Sequence, residues 1–191
     1  VAGDLMGQEV VSPLITLIDY ANTCDDKTCP VPVYVDDEGT PSKDAVIIKD
    51  GVLQKFMHNK ESAQHFETQP DGNARAYAFS DEPLIRMRNT AFVPGTSSLD
   101  EMISSIDDGY YLTKSSNGQA DSTSEFMFGI AMGYEIKNGK IGRAIKETTI
   151  SGIAFDVLKT VDMISEEMSW SAGGMCGKKQ WIPVGMGGPA I

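Results

Sequence analysis

Alternating apolar and polar positions recur along the chain and predict short β-strands. The sharpest examples flank Asp50-Gly51 and Asn138-Gly139. These dipeptides suit type I′ turns, whose two central residues need positive φ, so each pair of flanking segments predicts a β-hairpin. The hairpin strands are predicted at residues 46–49 with 52–56 and at residues 134–137 with 140–145. Further strands are predicted at residues 14–19, 31–35, 85–93 and 125–132.

Helical periodicity is strongest in two other segments. Ser98 and Glu101 form a capping-box pattern, and apolar residues at positions 99, 102, 103 and 106 then share one helix face. A second apolar stripe predicts a helix over residues 151–168, and a weaker pattern predicts one over residues 59–66. Four segments match neither period and are predicted to be irregular, namely residues 22–30, 69–76, 114–121 and 171–191.

The order of these elements predicts the fold class. Antiparallel hairpins interspersed with helices indicate an α+β fold, mainly antiparallel β-sheet with two or three helices. A length of 191 residues fits a single domain over residues 1–191, and no long linker divides it. The chain starts at Val1 without an initiator methionine, which we interpret as the start of a domain cut from a longer protein.

Charge and composition narrow the classes of partner. The chain has 27 acidic and 16 basic residues, a formal net charge of −11, and we expect no direct nucleic-acid binding because phosphates are bound by clustered Lys and Arg. The longest apolar stretches, such as residues 14–18, are far shorter than a membrane span of about 20 residues. Three cysteines, an odd number, argue against a disulfide framework and predict a cytoplasmic protein.

Candidate metal ligands are few. His58 and His65 are seven residues apart and would share a face of a continuous helix, but the first follows a predicted strand. The alternative is that both are solvated polar residues. Cys24 and Cys29 bracket four residues, at the loose limit of zinc-ligand spacing, and no second pair accompanies them, so the pattern favours loop thiols.

Cys176 has different surroundings. Glycines flank it on both sides, and Lys178 follows at a distance that could favour the thiolate. No neighbouring base or cysteine-protease signature accompanies it, and no phosphate-binding loop occurs in the chain. From these residues alone, Cys176 can be either a structural cysteine or a reactive or metal-binding thiol.

Seven segments stand out in the order in which they occur along the chain. They are residues 7–19, residues 48–53, Arg86-Met87-Arg88-Asn89-Thr90, Pro94-Gly95, Gly118-Gln119-Ala120-Asp121, Met175-Cys176-Gly177-Lys178 and Pro183-Val184-Gly185. In this collinear order they resemble the TldD/PmbA family, long described as modulators of DNA gyrase. The resemblance covers nearly the whole chain and corresponds to the C-terminal portion of a TldD-type subunit.

The resemblance implies a zinc metallopeptidase that cleaves unfolded or flexible peptides. In the family an HExxxH helix supplies two histidine ligands and a general base, and a cysteine in a glycine-rich segment completes the set. That cysteine matches Cys176, whereas no HExxxH occurs in this sequence. The resemblance therefore implies that this chain contains no catalytic residue and is inactive alone, with the missing motif in a segment before Val1. It also implies a homodimer, or a heterodimer with a related subunit.

Five residues in or beside the matching segments are predicted to contact a peptide substrate: Asn89, Thr90, Gln119, Asp121 and Gly174. The alternative for the four polar ones is hydrogen bonding within turns and at strand ends. Two other functions stay open. One is a non-catalytic partner subunit that binds peptides or modulates gyrase, and the other is a purely structural β domain in which Cys176 is packed.

Overall fold

The computed structural model describes residues 3–121 and 123–191, with residues 172 and 173 described by their backbone alone. Within these ranges the chain forms fourteen strands and three α-helices. The helices are α1 (Lys60–His65), α2 (Leu99–Ser104) and α3 (Ala154–Lys159). The strands are β1 (Leu17–Tyr20), β2 (Thr23–Cys24), β3 (Lys27–Thr28), β4 (Ala45–Lys49), β5 (Val52–Leu53), β6 (Ala74–Arg75), β7 (Leu84–Ile85), β8 (Asn89–Phe92), β9 (Asp108–Ala120), β10 (Glu125–Lys137), β11 (Lys140–Ile145), β12 (Thr148–Ile153), β13 (Ser169–Lys178) and β14 (Gln180–Gly188).

A six-stranded sheet organises the protein, with the strand order β13-β14-β8-β1-β4-β5. Its pairs are antiparallel except β14 with β8, which is parallel. The main apolar cluster packs against the β1, β4 and β5 end of this sheet, where burial of apolar surface stabilises the fold. Its buried members are Val10, Val11, Ile15, Ile48, Leu53 and Ile164.

A second sheet is built around the long strand β10. Strand β9 pairs along one side of β10, while β11 and β12 share the other side. Nearly all of β9 is exposed, and large apolar side chains of β10 to β12 also face solvent, among them Met127, Met132, Ile141 and Ile150. This sheet therefore contributes little to the core, and the two small sheets β2-β3 and β6-β7 complete the fold.

The predicted α+β class is confirmed, as are both hairpin turns. Asp50 and Asn138 have positive φ of 48° and 49°, and each is followed by a glycine with positive φ. At Gly51 a side chain is excluded twice over, because φ is 81° and a Cβ atom would lie 2.8 Å from the carbonyl oxygen of Val11.

Two of the three predicted helices are confirmed. Helix α2 begins after Ser98, whose hydroxyl accepts the Glu101 backbone N–H at 3.2 Å while the Glu101 carboxylate accepts the Ser98 backbone N–H at 2.9 Å. Helix α1 has the same reciprocal cap between Asn59 and Ser62. Both caps satisfy N–H groups that the first helical turn would leave unpaired.

The third predicted helix, over residues 151–168, is confirmed only for the short segment Ala154–Lys159, and its predicted bounds are wrong. Strand β12 runs to Ile153, and α3 follows for a single short segment that ends at Lys159. β-Branched residues fill most of β12, which pairs with β10, and such side chains fit a pleated sheet better than a helix. The apolar residues beyond α3 still reach the core, since Ile164 is buried from a loop.

The predicted irregular segments at residues 114–121 and 171–191 are also wrong, because both are largely strand. In these strands glycines lie directly opposite aromatic residues, and the ring covers the space above the glycine. At Gly187 a Cβ atom would lie 2.5 Å from the indole of Trp170. The cross-strand pairs are Gly118 with Phe128, Gly177 with Trp181 and Gly187 with Trp170.

Smaller differences concern strand bounds. Residues 31–35 form no extended strand and make only a bridge between Val35 and Pro41, since prolines cannot donate to a ladder. The segment 85–93 is split into β7 and β8, with Arg86, Met87 and Arg88 between them. Short strands occur in the predicted irregular segments 22–30 and 69–76. Among the described helices, none is long and apolar enough to cross a membrane.

A fully buried ion pair joins the centre of the six-stranded sheet to the loops beside it. Asp19 of β1 accepts the Arg88 Nε–H at 2.8 Å, and both side chains have no exposed surface. The Asp19 carboxylate also accepts N–H groups from the Arg88 backbone and the Asn73 amide, and the Thr90 hydroxyl. The remaining Arg88 donors reach the carbonyls of residues 19, 43, 71 and 72. Every guanidinium N–H thus has an acceptor.

We expect Asp19→Asn to lower the free energy of unfolding by about 3–5 kcal/mol, because Arg88 would stay buried without its counter-charge. Urea denaturation would measure the loss. The matched control is Asp108→Asn, which breaks the exposed pair between Asp108 and Lys137 at 2.6 Å and should cost at most about 1 kcal/mol. A loss below about 1 kcal/mol for Asp19→Asn would contradict the structural role assigned to this pair.

Candidate metal and peptide site

Cys176 lies near the open edge of the six-stranded sheet. It belongs to β13, which among the described residues pairs only with β14, and it faces Ile182 across that pair. The side chain is partly buried, in contrast to the buried Cys24 and Cys29. A strand at a sheet edge presents N–H and C=O groups that no neighbouring strand pairs. In β13 the carbonyls of Cys176 and Lys178 accept hydrogen bonds from the Arg86 side chain.

The cation that contacts this thiol is Arg86. One of its terminal nitrogens donates to Cys176 Sγ at 3.5 Å and to Cys176 O at 3.2 Å. The sequence pointed to Lys178 instead, and the structure places the Lys178 carbonyl on the same guanidinium. Arg86 and Cys176 are 90 residues apart, so no local spacing could have linked them.

Asn89 and Thr90 belong to β8, the strand that pairs with β14 of the β13-β14 hairpin. The Asn89 side chain is completely buried, donates to the carbonyls of Tyr20 and Val31, and accepts the Val31 N–H at 2.9 Å. Thr90 donates its hydroxyl to the Asp19 carboxylate at 2.9 Å. Both side chains therefore have internal partners, and their predicted contact with a peptide stays a prediction.

Gln119 and Asp121 lie on the second sheet, at the end of β9. They line an open cleft of about 420 Å³ together with residues of β10 and β12. The Asp121 carboxylate accepts the hydroxyl and backbone N–H of Thr123 at 2.6 and 2.8 Å, and these hydrogen bonds lower the pKa of Asp121. Of the other predicted peptide contacts, Gly174 shares strand β13 with Cys176.

The two histidines lie at opposite ends of α1. His58 precedes the helix, is 6% exposed, and its Nδ1 lies 3.1 Å from Ser62 Oγ. Burial, with the neighbouring charge of Lys55, lowers the pKa of His58. His65 ends the helix and is exposed, and both rings contact Phe66. Across the part of the chain that the structure describes, neither histidine joins a group of three His, Cys, Asp or Glu residues able to hold a metal.

Cys24 and Cys29 belong to the β2-β3 hairpin region rather than to an exposed loop. They are 7% and 3% exposed. Burial raises the pKa of both thiols, to about 11 for Cys29. Tyr20 forms a side-chain hydrogen bond with Cys24, and burial likewise raises the pKa of the Tyr20 hydroxyl. These groups are kept protonated, which disfavours metal binding because the thiolate is the ligand.

A zinc ion, which the resemblance implies, fits Cys176 as one ligand. A partly buried thiol that already accepts an N–H hydrogen bond has the character of a zinc-bound cysteine with an outer-shell donor. A zinc site needs at least three protein ligands. The residues that the structure describes contain no group of three candidate ligands around Cys176 or elsewhere.

Comparison with known proteins decides the family. The model of the PmbA/TldA metallopeptidase C-terminal domain matches residues 1–191. The chain belongs to the TldD/PmbA family. Among curated family members, a metalloprotease TldD homolog of Buchnera aphidicola is 38% identical over 98% of the chain. A zinc metalloprotease TldD homolog of Saccharolobus solfataricus is 38% identical over 83% of the chain.

The chain spans 39% of the Buchnera relative's length and 36% of the Saccharolobus relative's length. Two solved structures of the family share its fold. A Thermotoga maritima protein, described as a candidate modulator of a DNA gyrase, has a TM-score of 0.73 and 27% identity over 86% of this chain and 37% of its own. TldE of Thermococcus kodakarensis has a TM-score of 0.80 over 97% of this chain and 39% of its own. Its 21% identity makes this a likeness of fold.

The different environments of the three thiols predict different reactivities. In the folded chain at neutral pH we expect iodoacetamide to modify Cys176 roughly tenfold or more faster than Cys24 and Cys29, because those two are buried and protonated. Mass spectrometry of the digested protein would give each rate. In urea the three rates should converge, which serves as the control. Equal rates in the folded protein would contradict the burial described here.

Proposed function

We propose that residues 1–191 form the single C-terminal domain of a longer, TldD-like, zinc-dependent peptidase, with Cys176 as one zinc ligand. The observation that carries the proposal is the Cys176 thiol, held at the edge of the main sheet by Arg86. The chain matches the model of a metallopeptidase C-terminal domain, and one of its relatives is named a zinc metalloprotease.

The remaining ligands are proposed to come from an HExxxH helix outside this chain. With Cys176 and two such histidines as ligands, a bound zinc ion would supply Lewis-acid chemistry for the hydrolysis of a peptide bond. The contribution of this domain is to hold the sulfur in place and to present the substrate. Because the sequence contains no HExxxH, we propose that the chain hydrolyses no peptide by itself.

The proposed substrate is an unfolded or flexible peptide that adds to the open edge of β13. Strand addition uses main-chain hydrogen bonds, so it tolerates many sequences and rejects folded proteins. Gly174 and Cys176 are two residues apart in this strand, which would bring an added peptide close to the sulfur. Asn89 and Thr90 would support the neighbouring strands, and Gln119 and Asp121 would offer a more distant contact in their cleft.

We further propose that the protein acts in the cytoplasm as a homodimer or as a heterodimer with a related subunit. Three free cysteines suit a reducing compartment. The exposed apolar side chains of the second sheet, such as Met127 and Ile150, form a surface that an assembled protein would cover. A structural neighbour of this chain is TldE, which shares its fold.

The second candidate function is a non-catalytic subunit that binds peptides or modulates gyrase. The lack of an HExxxH motif and the likeness to a candidate gyrase modulator favour it. With a net charge of −11, such a subunit would contact protein rather than DNA. The sequence that precedes Val1 in the intact protein separates the two functions, since an HExxxH helix there makes it an enzyme.

Zinc content and hydrolysis of an unfolded peptide test the proposal directly. We expect the longer protein to bind zinc and cleave the peptide, and this chain alone to do neither at comparable levels. In the longer protein Cys176→Ser should weaken zinc binding and abolish most activity, because a hydroxyl is a poor zinc ligand. Cys24→Ala is the control, since that thiol is buried elsewhere. Full activity of the isolated chain, or unchanged zinc affinity in Cys176→Ser, would refute the proposal.

Strand addition makes a separate prediction. N-methylation removes a main-chain donor without changing side chains, so a peptide methylated at alternate residues should bind and be cleaved at least about tenfold less well when the methyl groups face β13. The same peptide methylated at the other set of residues is the control. If both peptides are cleaved like the unmodified one, the peptide is not held as an added strand.

A further inference from the structure

We propose that Arg86 is the positioning residue of Cys176: it fixes the hairpin that carries the thiol and orients the sulfur through an N–H···S hydrogen bond. That this sulfur binds zinc rests on the proposed function. The contacts between Arg86 and the hairpin involve no metal.

The backbone of Arg86 is anchored before its side chain reaches the hairpin. Its N–H donates to the Asn73 carbonyl at 2.8 Å, and the Asn73 side-chain amide donates to the Arg86 carbonyl at 3.0 Å. The same amide donates to the Asp19 carboxylate at 2.8 Å. Asn73 is fully buried. Arg86 is therefore tied through the Asn73 side chain to the fully buried ion pair between Asp19 and Arg88.

The guanidinium of Arg86 gathers acceptors from both arms of the β13-β14 hairpin. On one arm it donates to the carbonyls of Cys176 and Lys178, and on the other to the carbonyl of Gln180 at 2.8 Å. Between the arms Lys179 has a φ of 59°, which a lysine adopts at some cost. The three carbonyls converge on one cation, so the side chain of Arg86 holds the turn closed.

The fourth acceptor is the sulfur, at 3.5 Å. Because the same nitrogen also binds the Cys176 carbonyl at 3.2 Å, it fixes the sulfur relative to the residue's own backbone. That arrangement selects one side-chain rotamer of Cys176 out of the three that are ordinarily open. A ligand sulfur held in one rotamer is pre-oriented for a metal, as outer-shell partners do for other ligands.

Arg86 is buried, at 1% exposed, yet among the ion pairs of the described residues none involves it. The buried acids Asp19 and Asp71 pair with Arg88 and Lys55. The Nε atom of Arg86 also has no hydrogen-bond partner within the part of the chain that the structure describes. A buried cation is costly without compensation, and an electron-rich sulfur, such as a zinc-bound thiolate, is the partner that would provide it.

Arg75 offers a matched comparison. It is also buried, and it donates to the carbonyls of Met87 and Pro183 at 2.9 and 3.0 Å. It thus binds the backbone of β14 as Arg86 does, but has no described contact with Cys176. A loss of general stability should follow from replacing either arginine, whereas a change at the sulfur should follow only from replacing Arg86.

The test compares Arg86→Met, Arg86→Lys and Arg75→Met in the metal-free chain. Nuclear magnetic resonance couplings report the Cys176 rotamer, and amide hydrogen exchange reports the hairpin. We expect one rotamer in the native chain and in Arg75→Met, but rotamer averaging in Arg86→Met together with roughly tenfold or greater loss of hairpin protection. Arg86→Lys keeps the charge but not the planar fork, so it should restore part of both properties.

A Cys176 rotamer that is unchanged in Arg86→Met, or equally averaged in Arg75→Met, would overturn the inference. If Arg86→Met does not fold, Arg86→Lys decides, since an unchanged rotamer there with reduced hairpin protection would leave Arg86 a purely structural role. In the longer protein, Arg86→Met should weaken zinc affinity about 10–100-fold. Zinc binding that fails in the native protein refutes the proposed function and leaves the metal-free result on Arg86 standing.

Discussion

The buried ion pair between Asp19 and Arg88 is the contact on which the candidate site depends. Neither side chain is exposed, and their hydrogen bonds join β1, the start of β8 and two loops. The Asn73 side-chain amide donates hydrogen bonds to the Asp19 carboxylate and to the Arg86 carbonyl. The Arg86 side chain in turn donates to the Cys176 carbonyl in the β13-β14 hairpin. A buried pair of this kind adds little stability over an apolar core, but breaking it exposes a large desolvation cost. In this protein the ion pair fixes the positions of the side chains that lead from the centre of the six-stranded sheet to the Cys176 thiol.

The two large sheets differ in how much of their surface is covered. The six-stranded sheet has the apolar core behind it and carries the thiol near its edge. The second sheet leaves apolar side chains such as Met132 and Ile141 in solvent. Exposed apolar side chains that lie together mark a surface that another protein segment covers. The Buchnera and Saccharolobus relatives are more than twice the length of this chain.

Local chemistry made much of the fold predictable. Positive φ at Asp50 and Asn138 and the reciprocal cap of Ser98 with Glu101 depend on neighbours in sequence, so the sequence reveals them. The glycine-rich tail was not predictable in this way, because the ring of Trp170 covers Gly187 from the opposite strand, a contact that depends on pairing of β13 with β14. The helix expected over residues 151–168 is limited to α3. Pairing of β12 with β10 takes residues 151–153, and residues 161–164 form a loop that brings Ile164 into the core.

The sequence alone identified Cys176 of the candidate site but not the residue that contacts it. Cys176 could be singled out by its glycine-rich surroundings and by the family resemblance. The contact of its sulfur with Arg86 depends on folding that joins residues 90 positions apart, and no periodicity encodes such a contact. Asn89 and Thr90 stood out as polar residues in a matching segment, yet their side chains bind the protein interior. Distinguishing a buried amide from a substrate contact required the three-dimensional structure.

We propose that the Cys176 sulfur is a metal ligand and that residues outside this chain complete the site. X-ray absorption at the zinc edge of the intact, zinc-loaded protein tests this proposal, because it reports the atoms bound to the metal. We expect one sulfur at about 2.3 Å with nitrogen ligands at about 2.0–2.1 Å, and loss of the sulfur signal in Cys176→Ser. A spectrum with only nitrogen and oxygen ligands in the native protein would contradict it.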